Sequence, residues 1–307
     1  MSRSDRFGIV DLGSNAIRLV VGERRGSGFA VLESERLPVR LGQDVFGPGV
    51  VPDKVVAALV GAFTRFRAMC DDLAVAKVRA IATAAMREAK NRDHVVAEVR
   101  RATGFEIEVI SGMQEAGLLT RAVQQQVDLD RGRSVLVDVG GGSVEVVLVH
   151  RGTVEAADSH PIGSVRLLSV LRDAPKGASA VEVLRRSLQA VEPQIRQRLG
   201  GQPVDRYVGV GGSIENLTDL VATEAAARGG TESVALAAVR AETDALASLS
   251  VAQRVAHKGL THDRADTIVP AGVIYLRIGE LAGVDRIYVP RVGIKEGLLA
   301  AMVAEEV

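Results

Sequence analysis

The sequence predicts an α/β protein built as two similar halves, each with a mixed β-sheet covered by helices. Short apolar runs rich in valine and isoleucine alternate with segments of helical periodicity along the 307 residues. Residues 135–145 form an apolar run that ends in Asp138, continues through three glycines and resumes as alternating apolar residues. Residues 7–21 have the same layout around Asp11, 127 positions earlier, which indicates a duplicated strand–turn–strand unit. We therefore expect two domains, residues 1–127 and 128–307, with a last helix at about 294–307 that packs back on the first.

The composition is that of a globular protein, and it limits the classes of partner. Lysine plus arginine and aspartate plus glutamate each number 38, so no net charge draws the chain to nucleic acid or to an anionic membrane. Aromatic residues make up only 3%, too few for the base stacking of single-strand nucleic-acid binding. No apolar run is long enough to span a bilayer and no signal sequence precedes the first strand, so we expect a cytoplasmic protein.

The first half is expected to open with a three-stranded meander. Strands at 7–11 and 16–21 flank the turn after Asp11, and residues 28–36 form the third strand. A helix begins at Asp53, and its apolar stripe runs to Cys70, the single cysteine, which we expect to be a buried thiol. Residues 78–82 and 106–110 are short strands, each followed by a turn and a helix.

The second half is expected to repeat this meander around the glycine turn. Apolar spacing over residues 184–199 predicts one helix, kinked at Pro193. A strand at 207–210 leads into Gly211-Gly212-Ser213 and a helix, an arrangement that can bind an anion at the helix N-terminus. A long helix at 266–281, a strand at 286–289 and a closing helix from residue 294 complete the chain.

The two repeated turns combine an aspartate with small residues. Because glycine has no Cβ, backbone N–H groups of the glycine turn can approach an oxyanion closely. A carboxylate beside such an anion site is typical of a phosphate bound with a divalent metal, which neutralises both groups. A plain glycine hairpin is the alternative for one turn alone, and the repetition favours the phosphate site.

The motifs of the chain resemble those of the exopolyphosphatase/guanosine pentaphosphate phosphatase (Ppx/GppA) family. They comprise residues 11–15 with Arg18, 79–89 with Asn91, 110–112 with Glu115 and Ala116, 138–145, 161–167, 211–213 and 264–266. General actin-fold ATPases share the first and fourth of these motifs but not the second and third, so the combination is specific. The chain resembles the short, two-domain form of the family. It departs from the pattern at Gln114, where an acidic residue is common, and at Lys295, where arginine is usual.

This resemblance implies two actin-like domains of ribonuclease-H-like architecture (the ASKHA superfamily) flanking a phosphate-binding cleft. It implies an exopolyphosphatase that uses Mg²⁺ or Mn²⁺ to release orthophosphate from the end of inorganic polyphosphate. Three alternatives remain: hydrolysis of guanosine pentaphosphate (pppGpp) at the same site, phosphoryl transfer from ATP or polyphosphate to an acceptor, and binding of guanosine alarmones with little turnover. A homodimer is consistent with the family.

The resemblance also assigns roles to residues. The family's glutamate at the position of Glu115 activates water, and we expect Arg87 to neutralise phosphoryl oxygens, with Arg18 and Arg166 behind it. The expected metal ligands are Asp11, Asp138 and Glu145. The expected phosphate contacts are Gly13, Ser14, Asn15, Arg18, Gly140, Gly141, Gly142, Ser143, Gly211, Gly212 and Ser213. Structural alternatives exist, since Glu115 can merely favour its helix dipole and each aspartate can cap its own turn.

Overall fold

The computed structural model describes residues 5–26, 28–225 and 233–304. The chain divides into two compact units, Met1–Ala122 together with Ile294–Val307, and Val123–Gly293. The elements of the first unit are β1 (Arg6–Leu12), β2 (Ala16–Arg25), β3 (Gly28–Pro38), α1 (Leu41–Val45), α2 (Asp53–Asp72), β4 (Lys77–Ala82), α3 (Ala84–Glu88), α4 (Arg92–Thr103), β5 (Ile107–Val109) and α5 (Gly112–Gln124), whose last residues begin the second unit.

The five strands of the first unit form one mixed sheet in the order β3-β2-β1-β4-β5. Strand β1 is antiparallel to β2 and parallel to β4, which is parallel to β5. Alternate residues of β1 are buried on opposite faces: Val10 and Leu12 pack in one core with α2, and Phe7 and Ile9 pack in another. Cys70 lies in the α2 core and is 1% exposed, so the predicted buried thiol is confirmed. Because β1, β4 and β5 are parallel, their carboxyl ends lie at the same edge of the sheet.

The second unit is larger and contains most of the helices. Its elements are β6 (Arg133–Val139), β7 (Val144–His150), β8 (Thr153–His160), α6 (Ser164–Arg172), α7 (Ala180–Leu188), α8 (Glu192–Leu199), β9 (Arg206–Val210), α9 (Gly212–Ala225), β10 (Ser233–Ala235), α10 (Leu236–Ser248), α11 (Val251–Lys258), α12 (His262–Ala265), α13 (Ile268–Ala282) and β11 (Arg286–Tyr288). Helix α14 (Ile294–Ala304) then returns to the first unit.

The sheet of the second unit has the strand order β10-β11-β9-β6-β7-β8, and the almost wholly buried helix α13 packs in its core. The prediction of one kinked helix over residues 184–199 is wrong. Two helices, α7 and α8, occupy this region, and Pro193 lies in the first turn of α8. Proline is tolerated there because the first-turn N–H groups have no partner within the helix.

The two units repeat one topology. The order β3-β2-β1-β4-β5 of the first corresponds to β8-β7-β6-β9-β11 of the second. Asp11 is paired with Arg18 across the first hairpin, and Asp138 is paired with Glu145 at the same position of the second. Each turn is closed by an equivalent backbone hydrogen bond of 3.0 Å, from Gly13 N to Ala16 O and from Gly140 N to Ser143 O. The α/β class with mixed sheets is therefore confirmed. Within the described ranges, none of the helices is long and apolar enough to cross a bilayer.

Candidate active site

Three predicted site residues of the first unit lie at the edge of the sheet where its parallel strands have their carboxyl ends. Asp11 is near the end of β1, Arg87 lies on α3 directly after β4, and Glu115 lies on α5 directly after β5. In open α/β sheets this edge is the usual position of a ligand site. The sheet topology therefore brings to one edge three residues that are far apart in the sequence.

Arg87 and Glu115 form an ion pair at this edge. Arg87 Nη1 donates to Glu115 Oε1 at 2.6 Å and to the carbonyl of Ile110 at 2.8 Å. Glu115 is 3% exposed, while the Arg87 side chain is 27% exposed. In the part of the chain that the structure describes, the Arg87 side chain makes its hydrogen bonds through Nη1 alone. The guanidinium can therefore orient the carboxylate and still present Nε and Nη2 to an anion.

Gln114, where the sequence departs from the family pattern, belongs to the cap of α5. Its side-chain oxygen accepts from Ser111 N at 2.8 Å, and its own N–H donates to Ser111 Oγ at 3.2 Å. This reciprocal pair is a capping box, and it stabilises the first turn of the helix that carries Glu115. Gln114 thus helps to position Glu115 without itself carrying charge.

The Asp11 carboxyl has an electrostatic environment of its own. Burial raises the pKa of Asp11, and the positive charges of Arg18 and Lys295 act against that rise. Glu296 adds to it, and the carboxylate of Glu296 is itself 2.7 Å from Lys295 Nζ. Lysine at position 295 therefore supplies a positive charge near Asp11.

In the turn between β1 and β2, backbone N–H groups point away from the segment that precedes and begins α1. The carbonyl of Ser14 accepts from Gly42 N at 2.7 Å, and the carbonyl of Asn15 accepts from Arg40 N at 2.9 Å. In a trans peptide the C=O and the following N–H point in opposite directions. The N–H groups of Asn15 and Ala16 therefore point to the side away from α1, where an anion can approach.

The glycine turn of the second unit uses the same arrangement more fully. Backbone N–H groups at the start of α6 donate to the carbonyls of Gly140, Gly141 and Gly142 at 2.9–3.2 Å. The N–H groups of Gly141, Gly142 and Ser143 must therefore point away from α6, to the side from which an anion can approach. Arg166 Nε also donates to Gly142 O at 3.0 Å, so the structure gives this arginine a role in holding the turn.

Asp138 and Glu145 are neighbours on one face of the β6–β7 pair. They are directly opposite in the antiparallel register, a position in which Cβ atoms are typically about 5 Å apart. Glu145 is 2% exposed and accepts a hydrogen bond of 2.7 Å from Ser159 Oγ. Among the described residues, no three Asp, Glu, His or Cys side chains form a metal-binding group.

The Gly211–Ser213 turn lies beside Asp138. A methyl group on Gly211, whose φ is +99°, would be 2.7 Å from Asp138 Oδ1. The guanidinium of Arg264 packs so closely on Gly212 that a Cβ there would collide with it. The structure thus adds Arg264 to the start of α9, a residue to which sequence reasoning gave no role. The motif at residues 264–266 marked this position, but only the fold shows that α12 brings Arg264 to this turn.

Comparison with known proteins identifies relatives over nearly the whole chain. The model of the Ppx/GppA phosphatase family matches residues 19–306. Exopolyphosphatase 2 of Mycobacterium tuberculosis is 29% identical in an alignment 316 residues long, gaps included, that covers 97% of this chain and 98% of the relative. Exopolyphosphatase 1 of the same organism is 28% identical over 300 residues, which cover 96% and 87%.

Solved structures share the fold of the whole chain. An exopolyphosphatase from Cytophaga hutchinsonii superposes with a TM-score of 0.91 at 23% identity, covering 98% of both chains. The Aquifex aeolicus member of the Ppx/GppA family superposes with a TM-score of 0.79 at 25% identity, again covering 98% of both chains. The predicted actin-like fold class is thereby confirmed.

Proposed function

The chain belongs to the Ppx/GppA phosphatase family, as its motifs predict, and from this premise we propose that it is an exopolyphosphatase. In this proposal it hydrolyses the terminal phosphoanhydride of inorganic polyphosphate and releases orthophosphate. The observation that carries the proposal is the pair of backbone N–H sets, one in each unit, each beside an aspartate. A phosphate chain offers many equivalent anionic oxygens, which such donors bind through shape and charge.

Glu115 is the proposed water-activating residue. Hydrolysis of a phosphoanhydride requires a positioned water and neutralisation of charge on the phosphoryl oxygens. The ion pair with Arg87 holds the Glu115 carboxylate in place, and from this position Glu115 would take a proton from the attacking water. Nε and Nη2 of Arg87 would bind the phosphoryl group. Binding and water activation are thus assigned to neighbouring atoms of one ion pair.

The carboxylates fit a magnesium or manganese ion that takes many of its ligands from substrate and water. Mg²⁺ is usually bound by one or two protein carboxylates together with phosphate oxygens and waters. Asp138, with Glu145 beside it, and Asp11 are the residues proposed to hold it. When bound, the ion neutralises charge on the phosphoryl oxygens. The raised pKa of Asp11 makes it a carboxyl whose ionisation such an ion would favour.

The start of α9 is proposed to contact a phosphate further along the substrate. Its N–H groups and the guanidinium of Arg264 provide positive charge beside Asp138. The same arrangement also suits the additional phosphates of pppGpp, so this site does not distinguish the two substrates.

Phosphate release from a panel of substrates tests the proposal. Long-chain polyphosphate, tripolyphosphate, pppGpp and ATP are each supplied with and without Mg²⁺. We expect metal-dependent orthophosphate release with polyphosphate as the best substrate. Preference for pppGpp would instead make the chain a pentaphosphate phosphohydrolase, and phosphorylation of an acceptor without net hydrolysis would contradict the proposal.

A further inference from the structure

The hydroxyl of Tyr275 lies between the ends of β6 and β9, close to the two turns of the second unit. It accepts a hydrogen bond of 3.2 Å from Val139 N and donates one to the carbonyl of Val210. Val139 directly follows Asp138, and Val210 directly precedes Gly211. One side-chain oxygen therefore touches the backbone at the base of both turns.

The Tyr275 hydroxyl binds where the parallel pairing of β6 and β9 ends. The parallel pairing of β6 with β9 ends at Asp138 and Val210. Beyond these residues β6 continues into the glycine turn and β9 into α9, so the next backbone groups have no ladder partners between them. The Tyr275 hydroxyl lies directly beyond the last paired residues, where it links Val139 N to Val210 O through two hydrogen bonds.

The position of Tyr275 makes this contact well defined. Tyr275 is fully buried on α13, within the core of the second unit. Tyr207 Oη donates to the Tyr275 carbonyl at 2.8 Å, but Tyr207 lies three residues before the end of β9, so this contact holds the helix backbone and touches neither turn. Burial raises the pKa of Tyr275 far above the usual value, so the hydroxyl keeps its proton and can donate throughout the assay range.

We propose that Tyr275 is a positioning residue whose hydroxyl holds the Asp138 turn and the Gly211 turn at a fixed separation. This inference rests on the proposed function in assigning those turns to metal and phosphate. The Asp138 carboxylate and Gly211 are in close contact, so a small separation of the strand ends would move the carboxylate relative to the N–H groups around it. Tyr275 would thus act on the reaction through the geometry of other groups, without touching substrate.

The test compares Tyr275→Phe with Tyr207→Phe, a matched control. Both tyrosines are fully buried in one core, and each substitution removes only a hydroxyl. For Tyr275→Phe we expect amide hydrogen exchange in residues 139–143 and 210–213 to accelerate by about tenfold, since a buried hydrogen-bond network is lost there. Tyr207→Phe should leave exchange in both turns close to wild type.

Activity provides the second readout. We expect Tyr275→Phe to raise the Mg²⁺ concentration for half-maximal polyphosphate hydrolysis and to lower kcat by about tenfold or more, because a misplaced group acts mainly on the transition state. Tyr207→Phe should keep both values. Equal effects of the two substitutions on the Mg²⁺ midpoint, or unchanged exchange at the turns in Tyr275→Phe, would overturn the proposal.

The outcome separates this inference from the proposed function. If the wild-type protein releases no phosphate, the proposed function fails, and hydrogen exchange at the two turns alone decides the role of Tyr275. If Tyr275→Phe does not fold, 3-fluorotyrosine is incorporated at position 275 and, as the control, at position 207. Fluorination weakens the hydroxyl as an acceptor, so faster exchange of the Val139 amide is expected only for position 275, and its absence would overturn the proposal.

Discussion

At the level of single residues, the ion pair between Arg87 and Glu115 carries the proposed chemistry. Motif resemblance identified both residues, but their contact could not be derived from the sequence, because they are 28 positions apart and lie on different helices. The contact arises since β4 and β5 are adjacent and parallel, so the helices that follow them begin side by side. The sequence thus pointed to both residues, and only the structure showed that they are in contact.

Replacement of Glu115 by glutamine tests the role of its charge. Glutamine keeps the size of the side chain and an oxygen that can accept from Arg87, but it cannot take a proton from water. We expect kcat for polyphosphate to fall by about 10²–10⁴-fold with little change in KM. Glu108→Gln is the matched control, because Glu108 also pairs with an arginine, Arg79 at 2.9 Å, on the adjacent strand. Equal activity of the two variants would refute the assignment.

The acid side of the pH–rate profile should report on Asp11. Burial raises the pKa of Asp11 and Lys295 lowers it, so removing the lysine charge in Lys295→Met should raise that pKa further. If ionised Asp11 is needed, activity falls as the pH drops through its pKa, and the acid limb of Lys295→Met moves to higher pH. Rates at a fixed, sub-saturating Mg²⁺ concentration between about pH 5 and pH 9 measure this, because bound Mg²⁺ would itself keep Asp11 ionised.

Lys54→Met is the control for that profile, because Lys54 is exposed on α2. Its acid limb should coincide with that of the wild type. An acid limb of Lys295→Met that also coincides with the wild type, or that moves to lower pH, would show that Asp11 does not govern it.

At the level of elements, the two hairpins were the most predictable part of the molecule. A strand that ends in aspartate, a small-residue turn and a returning strand leave a clear local pattern, and the pattern recurs. The support behind each turn was not predictable. The donors to the Gly140–Gly142 carbonyls come from residues 163–166, after two intervening strands. Residues 184–199 show a further limit of the sequence prediction. Their apolar spacing runs on without a break, although two separate helices carry it and Pro193 lies in the first turn of the second.

The packing behind the glycine turn gives a prediction at this scale. A Cβ on Gly163 would collide with the backbone of Gly141 and Gly142, so Gly163→Ala must displace the turn or the start of α6. We expect the free energy of unfolding to fall by about 1–3 kcal/mol. We also expect KM for polyphosphate to rise, because the displaced turn would bind the substrate less well. Thermal unfolding and KM measure the two effects.

Gly61→Ala is the control for this substitution. Gly61 lies within α2, and a methyl group there meets nothing within 4 Å. Alanine should stabilise the helix by about 0.5–1 kcal/mol and leave KM unchanged. Wild-type KM in Gly163→Ala would mean that the turn does not bind the substrate.

At the level of the whole molecule, the first unit is completed by the last helix of the chain. Leu298, Leu299 and Met302 of α14 share a buried cluster with Phe7 and Ile9. Gly297 allows α14 to approach the carbonyl of Leu118 on α5, the helix that carries Glu115. The N-terminal sequence alone therefore leaves an apolar face of its sheet without its packing partner.

Truncation of one α14 side chain should therefore destabilise the first unit. Leu298 is fully buried, and Leu298→Ala should lower the free energy of unfolding by about 2–5 kcal/mol. Met113→Ala, at a side chain that is 59% exposed on α5, should change it by less than about 0.5 kcal/mol. Urea denaturation followed by circular dichroism measures both, and similar midpoints for the two variants would contradict this packing.

The central claim is that water, activated by Glu115, attacks the terminal phosphorus of a polyphosphate chain. Hydrolysis in ¹⁸O-labelled water, followed by mass spectrometry of the released orthophosphate, tests it most directly. We expect one ¹⁸O atom in each orthophosphate from the wild-type protein, and almost no labelled product from Glu115→Gln in the same time. Unlabelled orthophosphate, or labelling by Glu115→Gln at the wild-type rate, would contradict the claim.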